Sequence, residues 1–200
     1  MQRDLWLGIL IGAVGAAALS RRAKKLKHRG GGDWYPGKTE PVSGSCVLPF
    51  DYMEAFMLAV FEGLGVPAKE AKECADVLIE ADKRGIDSHG IGRLKPIYCD
   101  RVDAGILKPI APITVVKETD ATALVDGNLG LGLYVGPFCM DLAIKKAKKH
   151  GVGVVIAQGS THYGIAGYYA TMATEAGCVG FTGTNARPSI APTHGIEPMM

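Results

Sequence analysis

Residues 151–177, GVGVVIAQGSTHYGIAGYYATMATEAG, read as a strand, a loop and a helix. Residues 152–157 form a short, β-branched apolar run entered through Gly151, the pattern of a strand buried on both faces. The loop over 158–164 sets two glycines, a serine and a threonine around one histidine, His162. From Ile165 the apolar residues return at helical spacing: Ile165, Tyr168 or Tyr169, Met172 and Ala176. A histidine at the carboxyl end of a buried strand, in a small-residue loop feeding a helix, stands where α/β enzymes place their chemistry. The plainer alternative is a loop histidine that only hydrogen-bonds backbone.

Working outward, residues 113–117 and 121–125 are strand-like runs joined around 118–120, and 132–149 is a helix. That helix turns Val135, Phe138, Cys139, Leu142, Ala143 and Ala147 inward and Lys145, Lys146, Lys148 and Lys149 outward. A further strand is expected over 179–184, followed by a Pro-rich loop to Met200. Two strands, helix, strand, helix and strand make an α/β (α+β) unit over 112–200 whose sheet keeps an open edge, so the unit reads as incomplete at its C-terminus. Gly130, Gly132 and Gly136 imitate a dinucleotide fingerprint, but the next strand ends in Gln158 where a ribose-binding acid belongs, and the preceding strands are joined too tightly for a parallel crossover. Gly130 and Gly132 are better explained by a turn and close helix packing.

Upstream, residues 48–111 read as a helical domain. Asp51 and Glu54 have capping-box spacing for a helix over 52–64, ended by Gly65. A second helix opens near Pro67, carries Ala71, Cys74, Ala75, Leu78 and Ala81 on one face, and stops before Gly85. Ser88 is placed to cap a third helical segment bearing Ile91, Leu94, Ile97 and Val102, with Pro96 kinking it or starting its main part. On such a helix His89 and Arg93 stand at i and i+4 and point the same way. An arginine offers two parallel N–H donors that match a carboxylate, and His162 has the ordinary pKa of a general acid/base near neutrality. The bland reading of His89 and Arg93 is solvated surface beside a helix cap.

Residues 5–19 are uncharged and apolar and end at a basic run, RRAKKLKHR over 21–29. Three readings stay open for 1–29: a membrane anchor with the basic run on the cytoplasmic side, a cleaved signal, or a mitochondrial presequence. Residues 30–47 are a Gly/Pro/Ser linker. Without the basic run the chain holds 16 Lys and Arg against 20 acids, a balance of −4, which excludes a nucleic-acid-binding body. The five cysteines are widely spaced with no CxxC pair, as expected of reduced thiols in a cytosol-like compartment. His89, His162 and His194 lack recognised ligand spacing, so no metal site is expected.

ADKRGIDSHGIGRL (81–94), ALVDGNLGLG (123–132), GSTHYGIAGYYA (159–170) and GFTGTNARPSIAP (180–192) together resemble the malate/L-lactate dehydrogenase family of the second type. That family also holds ureidoglycolate and sulfolactate dehydrogenases and cyclic-imine reductases, and the wording here is most similar to its animal malate dehydrogenase-like members. The resemblance implies a non-Rossmann fold, with a helical portion coupled to an α/β domain that binds NAD or NADP, and a homodimer when complete. It implies a small 2-hydroxy or 2-oxo acid as substrate. By the same resemblance His162 is the catalytic acid/base, Arg93 lines the substrate pocket with His89 beside it, and Thr184, Asn185 and Ala186 contact the cofactor. After Ala191 and Pro192 the family continues with a Gly-rich turn and a GTNP stretch, where this chain has Thr193, His194 and Gly195. The chain is therefore expected to be the N-terminal part of such an enzyme; the competing expectation is an inactive, membrane-tethered homologue that acts through interactions.

Overall fold

The computed structural model describes residues 48–186 and 191–198. The expected leader, basic run and linker lie outside these residues. Among the described residues no helix is long and apolar enough to cross a membrane.

The chain opens with helix α1, Phe50–Gly63, and helix α2, Ala68–Lys83. Each starts directly behind a proline, Pro49 and Pro67, held extended with ψ near 143° and 150°. The expected capping box does not form: the carboxylate of Asp51 accepts the N–H of Tyr52 at 2.9 Å, and α1 begins two residues earlier than expected. Proline's fixed φ and missing N–H already suit a helix start, so no side-chain cap is needed there. Gly65 and Gly85, with φ of +90° and +70°, end the two helices in the left-handed conformation.

The third helical segment is broken. Two short 3₁₀ turns, Asp87–His89 and Ile91–Arg93, are followed by a wider i→i+5 turn, Leu94–Cys99, and a short helix α3, Asp100–Asp103. Ser88 caps nothing; its Oγ lies 2.8 Å from His89 Nδ1. The break has a cause in Gly90, which is buried where a Cβ would overlap the Asp82 carboxylate. That carboxylate accepts the Ile91 N–H at 2.8 Å and fixes the turn to α2.

Strands β1, Thr114–Glu118, and β2, Thr122–Asp126, form an antiparallel hairpin with an irregularity between Val115 and Lys117. Helix α4, Gly132–His150, then crosses to β3, Val154–Gln158, which pairs parallel to β2, giving the order β1-β2-β3. Helix α5, Ala166–Glu175, packs on α4, where a Cβ on Gly136 would overlap the Tyr169 ring. The result is the mixed α/β architecture expected from the sequence.

Four further expectations are overturned. β3 is not buried on both faces: Val154 and Ile156 are 49% and 62% exposed, because α4 covers only one side of the sheet and β3 is an edge strand among the described residues. Residues 179–184 form no strand; Val179 and Phe181 are almost wholly exposed, with no neighbouring strand to pair with. Lys146 does not face solvent with its lysine neighbours. It is 7% exposed, and its ammonium donates to Glu118 Oε1 at 2.7 Å and to the Thr119 carbonyl at 2.6 Å, tying α4 to the β1–β2 turn. Phe138, expected to face inward, is exposed.

One cluster of buried side chains runs through the molecule. Met57 and Phe61 of α1, Val77, Leu78 and Ile79 of α2, Tyr98, and Leu133, Tyr134 and Val135 of α4 all belong to it.

Candidate active site

His162 stands in the loop between β3 and α5, held by contacts from three directions. On one side its Nδ1 lies 2.7 Å from the hydroxyl of Tyr98, whose ring meets the imidazole edge-on at 5.7 Å. The N–H of Gly164 donates to the same Nδ1 at 3.2 Å. On the other side the ring of His89 stacks on it, with centroids 5.6 Å apart and planes 22° from parallel. The sequence alternative of a histidine bonded only to backbone is thus too narrow, since a buried tyrosine and a second histidine share the ring.

The loop's position follows from its small residues. Gly132, the first residue of α4, is buried where a Cβ would press into the carbonyl of Thr161 and come within 2.7 Å of that of His162. Its N–H is accepted by Thr161 Oγ1 at 3.1 Å, and that hydroxyl donates to the Gly130 carbonyl at 2.9 Å. An otherwise unpaired N–H at the helix start is therefore satisfied by the loop carrying His162. Gly164, with φ of +77°, rests on Val77 of α2 and Leu133 of α4; a Cβ there would lie 2.7 Å from Val77 Cγ1. Next in the loop, the Tyr163 ring stacks on Tyr169 at 4.9 Å, and the Tyr169 hydroxyl donates to the Tyr163 carbonyl. The Tyr163 hydroxyl is buried without a hydrogen-bond partner among the described residues.

Burial, together with the nearby His89, Arg101 and Arg93, lowers the His162 pKa from 6.5 to about 4. Burial also pushes the Tyr98 phenol far above its ordinary range, so its hydroxyl stays protonated. Among the described residues the charged groups that act on His162 include the guanidiniums of Arg101 and Arg93, which suits the pocket to an anion. Arg93 Nε donates to the Ser88 carbonyl, which leaves its two terminal nitrogens to form a fork.

The structure thus brings together His162, His89 and the charge of Arg93. It does not join Thr184, Asn185 or Ala186 to them: these are exposed, and among the described residues the Thr184 hydroxyl donates to the Asn185 carbonyl at 3.4 Å. The described residues do not enclose a dinucleotide, because the N-terminus of α4 is filled by Thr161 and residues 184–186 are open to solvent. Among the described residues no group of three or more His, Cys, Asp and Glu is set to hold a metal. Sequence reasoning missed Tyr98 and Arg101. Tyr98 lies between Ile97 and Cys99 in an apolar stretch and reads as core, which it also is; only the i→i+5 turn turns its hydroxyl onto His162.

The sequence profile described as malate/L-lactate dehydrogenase matches residues 48–200. The chain is 51% identical over 150 residues to a malate dehydrogenase of Pyrococcus horikoshii, covering 75% of this chain and 41% of that protein. It is 46% identical over 154 residues to an L-sulfolactate dehydrogenase of Methanocaldococcus jannaschii, covering 77% and 44%. The solved malate dehydrogenase from Pyrococcus horikoshii OT3 superposes with a TM-score of 0.71 at 45% identity, over 81% of this chain and 46% of that one. The chain therefore spans less than half the length of these relatives.

Proposed function

Since the chain belongs to the malate/L-lactate dehydrogenase family, we propose that it supplies the acid/base and substrate-holding part of an oxidoreductase acting on the CH–OH group of a small 2-hydroxy acid. The observation that carries this reading is the His162 imidazole, held at Nδ1 by Tyr98 and Gly164 with the charges of Arg93 and Arg101 nearby. Two relatives act, by their names, on malate and sulfolactate, both 2-hydroxy acids.

In this reading the carboxylate of the acid pairs with the terminal nitrogens of Arg93, and its oxygen meets Nε2 of His162. The anion offsets the positive potential around the ring and raises the imidazole pKa from its low value, so the 2-oxo acid is met by a protonated ring and the 2-hydroxy acid by a neutral one. His162 takes the hydroxyl proton in oxidation and returns it to the oxygen in reduction. A nicotinamide, NAD or NADP, supplies the hydride chemistry of such a reaction, and Thr184, Asn185 and Ala186 are the proposed contacts to it. The complete enzyme is proposed to be a homodimer.

The test is turnover of 2-hydroxy acids with NAD and with NADP by this chain continued to the length of its relatives, beside its His162→Gln variant. Loss of at least about a hundredfold in kcat is expected for removal of a general acid/base. Turnover by the variant within a few-fold of the parent would overturn the role of His162.

A further inference from the structure

We propose that Tyr98 is the positioning residue of this site: its hydroxyl holds the His162 ring through Nδ1 and thereby presents Nε2 as the nitrogen that meets the substrate, whichever form the ring takes. The inference deepens the reading of His162 as the acid/base and rests on it for its catalytic meaning. Its structural content stands on geometry alone.

Nδ1 is faced by two groups, the Tyr98 hydroxyl at 2.7 Å and the Gly164 N–H at 3.2 Å. The Gly164 N–H alone favours the neutral form with its hydrogen on Nε2, whereas oxidation needs Nε2 bare and the hydrogen on Nδ1. The two partners differ in kind. A backbone N–H can only donate, whereas a phenolic hydroxyl donates or accepts. The Tyr98 hydroxyl bonds no other side chain among the described residues, so it is free to rotate between the two roles. It donates to Nδ1 when the neutral ring keeps its hydrogen on Nε2, the form that bonds a carbonyl oxygen. It accepts from Nδ1–H when the ring is the other tautomer, whose bare Nε2 can take a hydroxyl proton, or when the ring is fully protonated. Tyr98 is therefore the one partner that serves every form the ring adopts in an acid/base cycle. Its own ring is fully buried and packs edge-on against Phe61 at 5.9 Å, which fixes the hydroxyl in place.

The test is long-range proton–nitrogen NMR of the histidine rings in the isotope-labelled 200-residue chain at neutral pH, with the His162 signal identified by its loss in His162→Gln. In the parent, the two nitrogens are expected at the positions of a tautomer mixture. In Tyr98→Phe, where the Gly164 N–H alone faces Nδ1, both nitrogens move toward the Nε2–H form; signals unchanged from the parent would overturn the proposal. Should Tyr98→Phe not fold, incorporation of a fluorinated tyrosine with a more acidic hydroxyl keeps the shape and strengthens the donor. The Nδ1 signal must then move as for a stronger hydrogen bond, and an unmoved signal overturns the proposal. In the chain continued to the length of its relatives, Tyr98→Phe is expected to lower kcat about tenfold with KM within twofold; a change confined to KM overturns it. Absence of turnover in the unsubstituted long protein counts against the dehydrogenase reading, whereas the NMR result decides the role of Tyr98 by itself.

Discussion

At the scale of single residues, His162 links acid to stability. Its folded pKa of about 4 lies below the ordinary 6.5 through burial and the nearby His89, Arg101 and Arg93. Between these values the unfolded chain binds a proton that the folded chain refuses, so stability is fully present above about 6.5 and falls as the pH drops toward about 4. The full effect is at most about 3 kcal/mol, and solvent screening of a ring that is only partly buried reduces it. Urea unfolding of the chain at a series of pH values is expected to show this slope, and His162→Gln to flatten it. A slope unchanged by the substitution would assign the acid sensitivity to another group. An anion that pairs with Arg93 should act in the opposite direction and move the imidazole back toward neutrality.

At the scale of elements, the start of α4 decides where the His162 loop lies. Alanine in place of a helical glycine ordinarily gains roughly 0.5–1 kcal/mol. At Gly132 the added Cβ meets the backbone carbonyls of Thr161 and His162, which cannot rotate away, and overpacking of this kind costs about 1–3 kcal/mol. Gly132→Ala is thus expected to lower the melting temperature rather than raise it, and to shift the His162 ring signals in NMR; a stabilised variant with unshifted signals would refute this packing. The same element shows what the sequence makes legible. The glycines at 130 and 132 mark close packing, Gly65 and Gly85 mark helix ends, and the strand–loop–helix around His162 stands within two residues of expectation. Distant partners were not legible. Tyr98 reaches His162 through a turn of i→i+5 geometry that leaves no mark in the apolar spacing, and Lys146 looks like one of four exposed lysines until the hairpin places Glu118 and Thr119 above it. The apolar content of β3 reports a strand that can be covered on both faces; it does not report what covers it.

At the scale of the whole molecule, the described residues leave one side of the sheet bare. Val154 and Ile156 of β3 are exposed beside a sheet edge that no other described strand covers, the condition under which strands of separate chains associate. The 200-residue chain is accordingly expected to self-associate with rising concentration in sedimentation experiments. Ile156→Lys should suppress this with a change in folding stability within about 0.5 kcal/mol, as for a surface position; undiminished association would place the contact elsewhere. The opposite side is joined throughout. Gly164 beside His162 rests at once on Val77, from the helical portion, and on Leu133, from the first turns of α4. For recombination between relatives, the seam that the sequence displays near residue 112 is therefore a poor crossover point. Chimaeras broken there would seat the loop of one parent on a floor built half by each, and those that inherit Val77, Leu133 and Gly164 as a block are the ones that should retain an ordered histidine.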